Sequence, residues 1–501
     1  MLIAIISAEK DIALTGQEVV RLFFPDGEIV LGERAGCDMT IIVSAAQTGD
    51  TFAGRAVLAA RGSKLAEEAK SDTVPIIGDE RNQQKRLVKL AIFRVLSRFT
   101  GKTPGPWGIL TGIRPTKIVH RLLDMNWERS GIIDYLITCY DMCRNKATML
   151  LEIAVRQRKY LLSIEQAKQI VSVYIGIPFC PSRCAYCSFP SCSLEGRGAL
   201  IVPPFVEALK KEIKEVGTFL KASGRKVQTI YVGGGTPTAL DYLQLSEVLN
   251  YIREFLVDSS TREITLEAGR PDTISEEKLK VAIQSGITRL SINPQSMNLG
   301  TLLKIGRHHT PQQIVEAVDM ARRIGFGNIN MDIIIGLPGE EKCDVENTLK
   351  EIARLSPENL TVHTLALKRA SKLKESSQEF LLPDSTTAGS MLEITAEAAA
   401  EMKMYPYYLY RQKRMVGPLE NVGYTKKGYD CIYNIQIIEE RQTILGLGGG
   451  AGSKLVQPGT WSLTSQYNPK DPQSYIERID ELIIKKISHL KTKVDNLKSI
   501  R

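Results

Sequence analysis

The middle of the chain alternates between short apolar runs and amphipathic segments. Apolar, often β-branched runs predict six strands, at 171–177, 227–232, 263–268, 288–293, 328–335 and 359–365. Apolar residues at helical spacing predict five helices between them, near 203–221, 241–256, 275–285, 311–324 and 343–355. Strand and helix units in this order require parallel strands joined by right-handed crossovers. The pattern therefore predicts an α/β fold built on a partial (β/α)6 barrel.

The two flanking regions follow other patterns. Residues 1–165 are predicted to form a separate α/β domain with strands at 1–6, 27–31, 39–43 and 51–60 and a helix over roughly 80–98. The residues after 380 are predicted to form an α+β extension that serves as a lid or substrate domain. We therefore expect three domains, at 1–165, 166–380 and 381–501.

Composition and charge restrict the kinds of partner and the cellular compartment that we expect for this chain. The chain has 501 residues, of which 43% are hydrophobic, enough for a large core. Its net charge of +9 is spread along the chain, which suits a small polyanionic substrate or an acidic partner protein as well as nucleic acid. Six of the nine cysteines are scattered along the chain, which argues against a disulfide framework, and neither a signal peptide nor a membrane span is visible. These features predict a cytoplasmic protein.

Three of the cysteines stand together directly after the first predicted barrel strand. Cys180, Cys184 and Cys187 have the spacing Cys-x3-Cys-x2-Cys. Structural zinc sites normally use four protein ligands, and no partner lies at a finger-like distance. An iron–sulfur cluster held by three cysteines keeps one iron free for a ligand that is not protein. The spacing favours such a cluster over the alternatives of buried thiols or a disulfide with a spare thiol.

Other polar and small residues lie at the carboxyl ends of the predicted strands, where barrels of this kind place their chemistry. Glycines after the second strand let the backbone approach a polar ligand, and carboxylates accept hydrogen bonds from an ammonium or a ribose. Asp332, alone in an apolar run, is expected to bind something, because burying an unpaired carboxylate is costly. The candidates outside the cysteine loop are Gly234, Gly235, Thr236, Glu267, Asn293, Gln295, Arg307, Asp332 and Ala366.

The order Tyr174-x5-Cys180-x3-Cys184-x-Tyr186-Cys187 resembles the signature of radical S-adenosylmethionine (SAM) enzymes. The flanking Ile177-Pro178-Phe179 is similar, more narrowly, to the oxygen-independent coproporphyrinogen III oxidase family, also called coproporphyrinogen dehydrogenases. The resemblance is strong over 170–370 and weak over 405–455. The first 165 residues resemble only the longer coproporphyrinogen dehydrogenase branch.

The resemblance implies roles for individual residues. It places a [4Fe-4S] cluster on Cys180, Cys184 and Cys187. It implies that the SAM that is cleaved contacts Tyr174, Gly234 and Glu267. The positions that match contacts to a second SAM are Tyr186, Gly235, Thr236, Gln295, Arg307, Asp332 and Ala366.

The resemblance also implies a reaction and partners. An electron cleaves SAM to a 5′-deoxyadenosyl radical, which attacks the β-carbon of a propionate on coproporphyrinogen III. Loss of carbon dioxide leaves a vinyl group, and two rounds give protoporphyrinogen IX. The implied electron donor is a low-potential carrier such as flavodoxin or ferredoxin. We expect a monomer with one or two SAM molecules that binds no nucleic acid and has no membrane span.

Some positions depart from the family pattern and keep two alternatives open. Gly176 stands where the pattern has histidine, and Ser188-Phe189 follows the third cysteine as in the haem-trafficking relatives. The His-Asn motif of those relatives reads Tyr433-Asn434 here. The alternatives are a haem-binding carrier and a radical SAM enzyme that acts on another tetrapyrrole.

Two features of the C-terminal part have uncertain roles at this level. The aromatic and basic segment 405–414 either stacks on a tetrapyrrole, with Arg411 and Arg414 pairing its propionates, or is core with solvated charges. The glycine-rich run 445–453 lacks the βαβ surroundings of a dinucleotide fingerprint. We expect it to form a lid or turn that closes the barrel mouth.

Overall fold

The structure, a computed structural model, describes residues 1–60, 62–71, 78–194, 196–368, 371, 373 and 381–498. The chain divides into two compact units. The first, here called the leading unit, comprises Met1–Arg156, Leu409–Lys413 and Gly417–Glu420. The second, the barrel unit, comprises Gln157–Tyr408, Arg414–Val416 and Asn421–Arg501. The first break thus precedes the predicted boundary at 165, and the residues after 380 largely share a unit with the barrel.

The leading unit is a five-stranded sheet with helices. The strands run in the order β2-β1-β3-β4-β5, with β1 parallel to both neighbours and the pairs β3–β4 and β4–β5 antiparallel. The four predicted strands and the helix near 80–98 are confirmed, whereas β5 and the other helices were not predicted. The strands are β1 Leu2–Ile6, β2 Glu28–Leu31, β3 Met39–Thr48, β4 Thr51–Ala60 and β5 Ser63–Ser71, and the helices are α1 Lys10–Phe23, α2 Glu80–Thr100, α3 Thr116–Asp124, α4 Arg129–Tyr140 and α5 Arg144–Gln157.

Helix α2 organises the core of the leading unit. It starts where the Asp79 side chain accepts a hydrogen bond from the Asn82 amide at 2.7 Å, and it ends at Gly101 in the left-handed conformation. Gly54 of β4 allows the helix backbone to approach the sheet, because a Cβ there would lie 2.3 Å from Val88 N. The apolar side of α2 therefore packs into the main hydrophobic core of this unit.

The barrel unit contains six parallel strands in sequence order, β6-β9-β10-β11-β12-β13. The α/β fold with a partial barrel, its six strands and its five helices are confirmed. The parallel strands are β6 Ile170–Ile177, β9 Lys226–Gly234, β10 Glu263–Glu267, β11 Arg289–Ser291, β12 Ile329–Ile335 and β13 Asn359–Thr364, with the short pair β7 Phe179–Cys180 and β8 Cys192–Ser193. The helices are α6 Ile164–Gln169, α7 Val202–Ala222, α8 Tyr242–Phe255, α9 Glu276–Gln284, α10 Leu299–Lys304, α11 Pro311–Ile324 and α12 Lys342–Leu355.

Local signals explain why these elements start and stop where they do. Helix α11 begins with a capping box between Thr310 and Gln313 and with Pro311 in its first turn. It ends at Gly325, which adopts a φ of +112°. Strand β6 is buried along most of its length, as expected for a parallel strand covered on both faces.

The remaining elements extend the sheet on both sides to eleven strands in the order β14-β15-β13-β12-β11-β10-β9-β6-β16-β17-β18. None of the described helices combines the length and apolar character needed to cross a bilayer. The strands are β14 Tyr405–Tyr410, β15 Asn421–Thr425, β16 Thr443–Gly448, β17 Gly452–Val456 and β18 Leu463–Tyr467, and the helices are α13 Ser385–Glu401, α14 Ile432–Glu439, α15 Pro472–Glu477 and α16 Ile479–Lys498.

The glycine-rich run 445–453 is mostly strand, and only residues 449–451 form the predicted turn, at the end of β16. Its first half belongs to β16, which pairs in parallel with β6, and the chain then turns into β17. The glycines permit close backbone approach: a Cβ at Gly448 would lie 2.2 Å from the Gly176 carbonyl oxygen. Conversely, a Cβ at Gly176 would lie 2.8 Å from the Gly449 carbonyl oxygen, so the histidine of the family pattern does not fit there.

The aromatic segment 405–414 belongs to the core, and its predicted alternative role in stacking on a tetrapyrrole is wrong for the residues buried there. Tyr407 and Tyr408 are buried in the barrel unit. Arg411, in the leading unit, is 7% exposed and donates to the carbonyl oxygens of Leu110 and Leu419. Its guanidinium carbon lies 5.2 Å from the Trp107 ring centroid, and burial lowers its pKa to about 10.

Candidate active site

The three cysteines lie in one loop that closes on itself after β6. The Cys192 amide donates to the Pro178 carbonyl at 2.7 Å, which pairs β8 with β7 and folds the loop back. Within it, the Cys187 amide donates to the Cys184 carbonyl at 3.2 Å. Cys180, Cys184 and Cys187 are all free thiols, so the alternative of a disulfide in this loop is wrong.

The thiols are close enough to influence one another. Burial raises the pKa of Cys180, and burial raises that of Cys187 to about 11. The neighbouring Cys184 thiol raises both pKa values further by charge repulsion. Three thiolates at this place therefore need a cationic centre to compensate them, as an iron–sulfur cluster does.

Among the described residues, no three cysteine, histidine or carboxylate side chains converge on a point suitable for one metal ion. In a cluster, each cysteine binds a different iron atom. The donor set of three thiols without a fourth protein ligand fits a [4Fe-4S] centre with one open iron.

The glycine turn after β9 is fastened to the cysteine loop. The Gly235 amide donates to the Ile177 carbonyl at 2.8 Å, and the Thr236 amide donates to the Phe179 carbonyl at 2.7 Å. A Cβ at Gly235 would lie 2.5 Å from Phe179 O, so only glycine permits this approach. Thr236 Oγ1 lies 3.5 Å from the Cys180 sulfur. The turn and the candidate cluster ligands thus form one rigid corner of the barrel.

Glu267 lies beside this corner at the end of β10. The Tyr231 hydroxyl donates to Glu267 Oε1 at 2.7 Å. Burial raises the pKa of Glu267 to about 7, the Tyr231 hydrogen bond and the Gly234 amide lower it, and the nearby Asp332 raises it. A carboxyl group with this pKa changes charge near neutral pH.

Three tyrosine rings stack beside Glu267. Tyr174 of β6 lies 6.2 Å from both Tyr231 and Tyr433, measured between ring centroids, and Tyr231 lies 4.6 Å from Tyr433. The rings are within 26° of parallel. Tyr433 arrives on α14 and is buried. The stack fills the β6 and β9 side of the barrel interior with aromatic surface.

A chain of polar side chains occupies the opposite side, over β11, β12 and β13. Asn330 Nδ2 donates to the Ser291 hydroxyl at 2.8 Å and to Asp332 Oδ1 at 2.7 Å. His363 Nε2 lies 3.7 Å from Asp332 Oδ2. Asp332 is therefore not the lone carboxylate that the sequence suggested, because Asn330 compensates its burial. Its half-exposed position still allows it to accept hydrogen bonds from a ligand.

Arg307 and Tyr186 connect the cysteine loop with the far strands. The Arg307 guanidinium is 3% exposed and donates to the Tyr186 hydroxyl at 3.1 Å and to the carbonyl oxygens of Gly269 and Asn293 at 2.5 and 2.7 Å. Tyr186 packs on a small core that contains Ile305 and Ile334. Arg307 thus donates three hydrogen bonds within the protein, and the one to the Tyr186 hydroxyl orients that side chain.

The two remaining candidate residues are Gln295 and Ala366. Gln295 has a left-handed backbone with φ of +65°, and its buried Oε1 has no hydrogen-bond partner among the described residues. A buried acceptor without a partner is costly, and a bound ligand would satisfy it. Ala366 follows β13 and bridges to Met415.

Sequence reasoning missed several residues of this site. Arg270, 3% exposed, donates to the Ser182 carbonyl at 3.3 Å and hydroxyl at 2.8 Å and forms a bidentate pair with Asp272, which fixes the cysteine loop from β10. Its position shortly after Glu267 was an available signal. Tyr433 was noted only as a departure from the His-Asn motif, and its contact with Tyr174 and Tyr231 could not be predicted because it is remote from them in sequence.

Comparison with known proteins agrees with this geometry. Residues 174–352 match the radical SAM superfamily. The oxygen-independent coproporphyrinogen-III oxidase-like protein HemZ of Bacillus subtilis is 40% identical over 479 residues, covering 95% of this chain and 94% of HemZ. The heme chaperone HemW of the same organism is 31% identical over 283 residues, covering 56% of this chain and 70% of HemW.

A solved structure shows the same fold. The coproporphyrinogen III oxidase HemN from Escherichia coli, a radical SAM enzyme, superposes with a TM-score of 0.52 at 23% identity, covering 66% of this chain and 73% of HemN. Radical SAM proteins use a [4Fe-4S] cluster and SAM, and the thiol loop described above suits that cluster. The chain therefore belongs to the oxygen-independent coproporphyrinogen-III oxidase-like family of the radical SAM superfamily.

Proposed function

We propose that the chain is an oxidoreductase that converts coproporphyrinogen III to protoporphyrinogen IX by oxidative decarboxylation without oxygen. The observation that carries this proposal is the position of three free thiols against a glycine turn and Glu267, at the carboxyl ends of adjacent barrel strands. The similarity to HemZ and the shared fold with HemN support it.

The proposed ligands of the cluster are Cys180, Cys184 and Cys187. The bound cluster and SAM supply the one-electron chemistry that removes a hydrogen atom from a substrate carbon. In each round, a propionate loses one hydrogen atom from its β-carbon and its carboxylate as carbon dioxide, and one electron leaves to an acceptor. A vinyl group remains, so the atoms and electrons of the substrate balance.

The chain's own residues bind and orient. Glu267, once ionised, would accept hydrogen bonds from the ammonium group of SAM, with Gly234 beside it. Tyr174 packs against the bound cofactor from the tyrosine stack. A second SAM, proposed on the same grounds, would contact Gly235 and Asp332. The remaining residues proposed for it are Tyr186, Thr236, Gln295, Arg307 and Ala366.

A second candidate function is haem binding, with SAM cleavage secondary. The observation that favours it is Phe189, which follows the third cysteine and is 61% exposed, together with the similarity to HemW. An exposed aromatic ring at this place is suited to contact a flat tetrapyrrole.

Anaerobic incubation of cluster-loaded protein with SAM, a low-potential reductant and coproporphyrinogen III separates the two. The decarboxylase predicts a product that has lost two carboxyl groups, detected by mass spectrometry, and its absence from the Cys187→Ala variant. Stoichiometric haem binding without any vinyl product would contradict the proposal and favour the carrier.

A further inference from the structure

A cavity of about 380 Å³ lies in the leading unit, apart from the residues of the candidate active site. It is formed by α1, α2, the loop before α3, and parts of α3 and α4. Its charged lining residues are all cationic: Lys85, Arg86 and Lys89 from α2, and Arg121 from α3. None of the described residues that line it is acidic. A concave surface with one sign of charge concentrates ligands of the other sign.

Two of the four cations are neutralised by carboxylates of α1, of which Glu18 also accepts a hydrogen bond from the lining Thr111 at 2.9 Å. Lys85 pairs with Asp11 at 3.1 Å, and Lys89 pairs with Glu18 at 2.8 Å. Within the part of the chain that the structure describes, Arg86 and Arg121 have no carboxylate at ion-pair distance. The uncompensated charge of the cavity therefore resides on two guanidinium groups.

Arg86 is held in place by neutral groups. Its Nη1 donates to the Cys139 carbonyl at 2.9 Å and its Nη2 donates to Gln83 Oε1 at 3.3 Å. The guanidinium carbon lies 5.8 Å from the centroid of the Tyr140 ring, which also lines the cavity. These partners fix the side chain without cancelling its charge, so little further ordering is needed when an anion binds.

Arg121 lines the same cavity. Both Arg86 and Arg121 act on the Tyr140 hydroxyl and oppose the increase in its pKa that burial causes. Both guanidinium groups therefore lie within electrostatic range of one aromatic side chain that lines the cavity with them. Planar guanidinium forks bind phosphate and carboxylate oxygens in pairs.

We propose that this cavity binds a small organic anion with two or more phosphate or carboxylate groups, held by Arg86 and Arg121. The size of the cavity is typical of a small-molecule site. Because the site lies in the leading unit, the proposal goes beyond the reaction assigned to the barrel, and its test needs neither the cluster nor SAM.

Isothermal titration of the full-length protein with pyrophosphate and with citrate tests it. We expect saturable binding of one ion per chain for at least one probe, weakened at least tenfold in Arg121→Gln. The stronger probe identifies the anion class. The matched control is Arg98→Gln, because Arg98 also lies on α2 but pairs with Glu67 at the surface; its affinity should equal that of the wild type.

Arg121 is exposed and has no side-chain partner among the described residues, so its substitution should leave folding unchanged, as circular dichroism would verify. Arg86→Gln should weaken binding similarly if it folds. The proposal is overturned if neither probe binds saturably, or if folded Arg121→Gln binds as tightly as the wild type.

Discussion

The Tyr231 hydroxyl donates a hydrogen bond of 2.7 Å to the Glu267 carboxylate across two adjacent parallel strands. This contact counteracts the burial that raises the pKa of Glu267 to about 7. Glu267 therefore changes charge in the physiological pH range. The hydrogen bond from Tyr231 helps to set the pH at which this change occurs. In the proposed function this carboxylate receives the ammonium group of SAM, so the pair links pH to cofactor affinity.

Replacing Tyr231 by phenylalanine should shift the pH dependence of the affinity for SAM. An ammonium group prefers the ionised carboxylate, so the affinity for SAM should fall as the pH drops below the pKa, by up to about tenfold per pH unit. The Tyr231 hydrogen bond lowers the pKa of Glu267, so in Tyr231→Phe the midpoint should move to higher pH. Anaerobic titration of cluster-loaded protein with SAM, repeated between pH 6 and 8.5, measures this midpoint. The control is Tyr467→Phe, at a ring that is 71% exposed; a common midpoint for both variants would refute the role of Tyr231.

The buried ion pair between Glu212 and Lys486 should make a large contribution to stability. Both side chains are at most 1% exposed and lie 2.5 Å apart, and Tyr475 also donates to Glu212. Lys486→Met leaves the Glu212 charge buried without its cation, which should lower the free energy of unfolding by about 3 to 5 kcal/mol. Urea unfolding followed by circular dichroism measures this.

The control for that experiment is Lys485→Met, because Lys485 is exposed on the same helix. Its unfolding free energy should change by less than about 0.5 kcal/mol. Equal stability of the two variants would show that the ion pair between Glu212 and Lys486 does not make this contribution to stability.

Gly448→Ala should disrupt the pairing of β16 with β6. Gly448 has a φ of +88°, and a Cβ there would lie 2.2 Å from the Gly176 carbonyl. Gly459 has a similar φ of +96° but open space around it. Gly459→Ala should therefore cost only the backbone strain, about 1 to 2 kcal/mol. Gly448→Ala should cost considerably more in thermal unfolding, and a similar loss for both would contradict the close approach.

Sequence patterns predicted the barrel well because its strands and helices are marked locally. Each strand is a short apolar run, and helices such as α11 carry a capping residue, a proline and a terminal glycine. The cysteine spacing and Glu267 at the end of β10 likewise indicated the candidate site, because parallel strands bring their carboxyl ends together.

The missed features depend on contacts between distant parts of the chain. The run around Gly446 has the composition of a turn, and only its approach to β6 and β17 makes it a strand. Arg411 was predicted either to pair with a propionate or to be a solvated charge, yet two backbone carbonyls and Trp107 hold it in the core. Of the two partners of Asp332, Asn330 is a near neighbour on β12, whereas His363 comes from β13 and follows from strand register.

The most direct test of the account is the iron and sulfide content of anaerobically prepared protein. Cys192 provides a matched control, because it lies in the same loop, on β8 beside β7, but is not a proposed ligand. We predict about four iron and four sulfide per chain in the wild type and in Cys192→Ala, and almost none when Cys180, Cys184 and Cys187 are all replaced by alanine. A cluster that persists in the triple variant, or wild-type protein that takes up no iron and sulfide, would contradict the account.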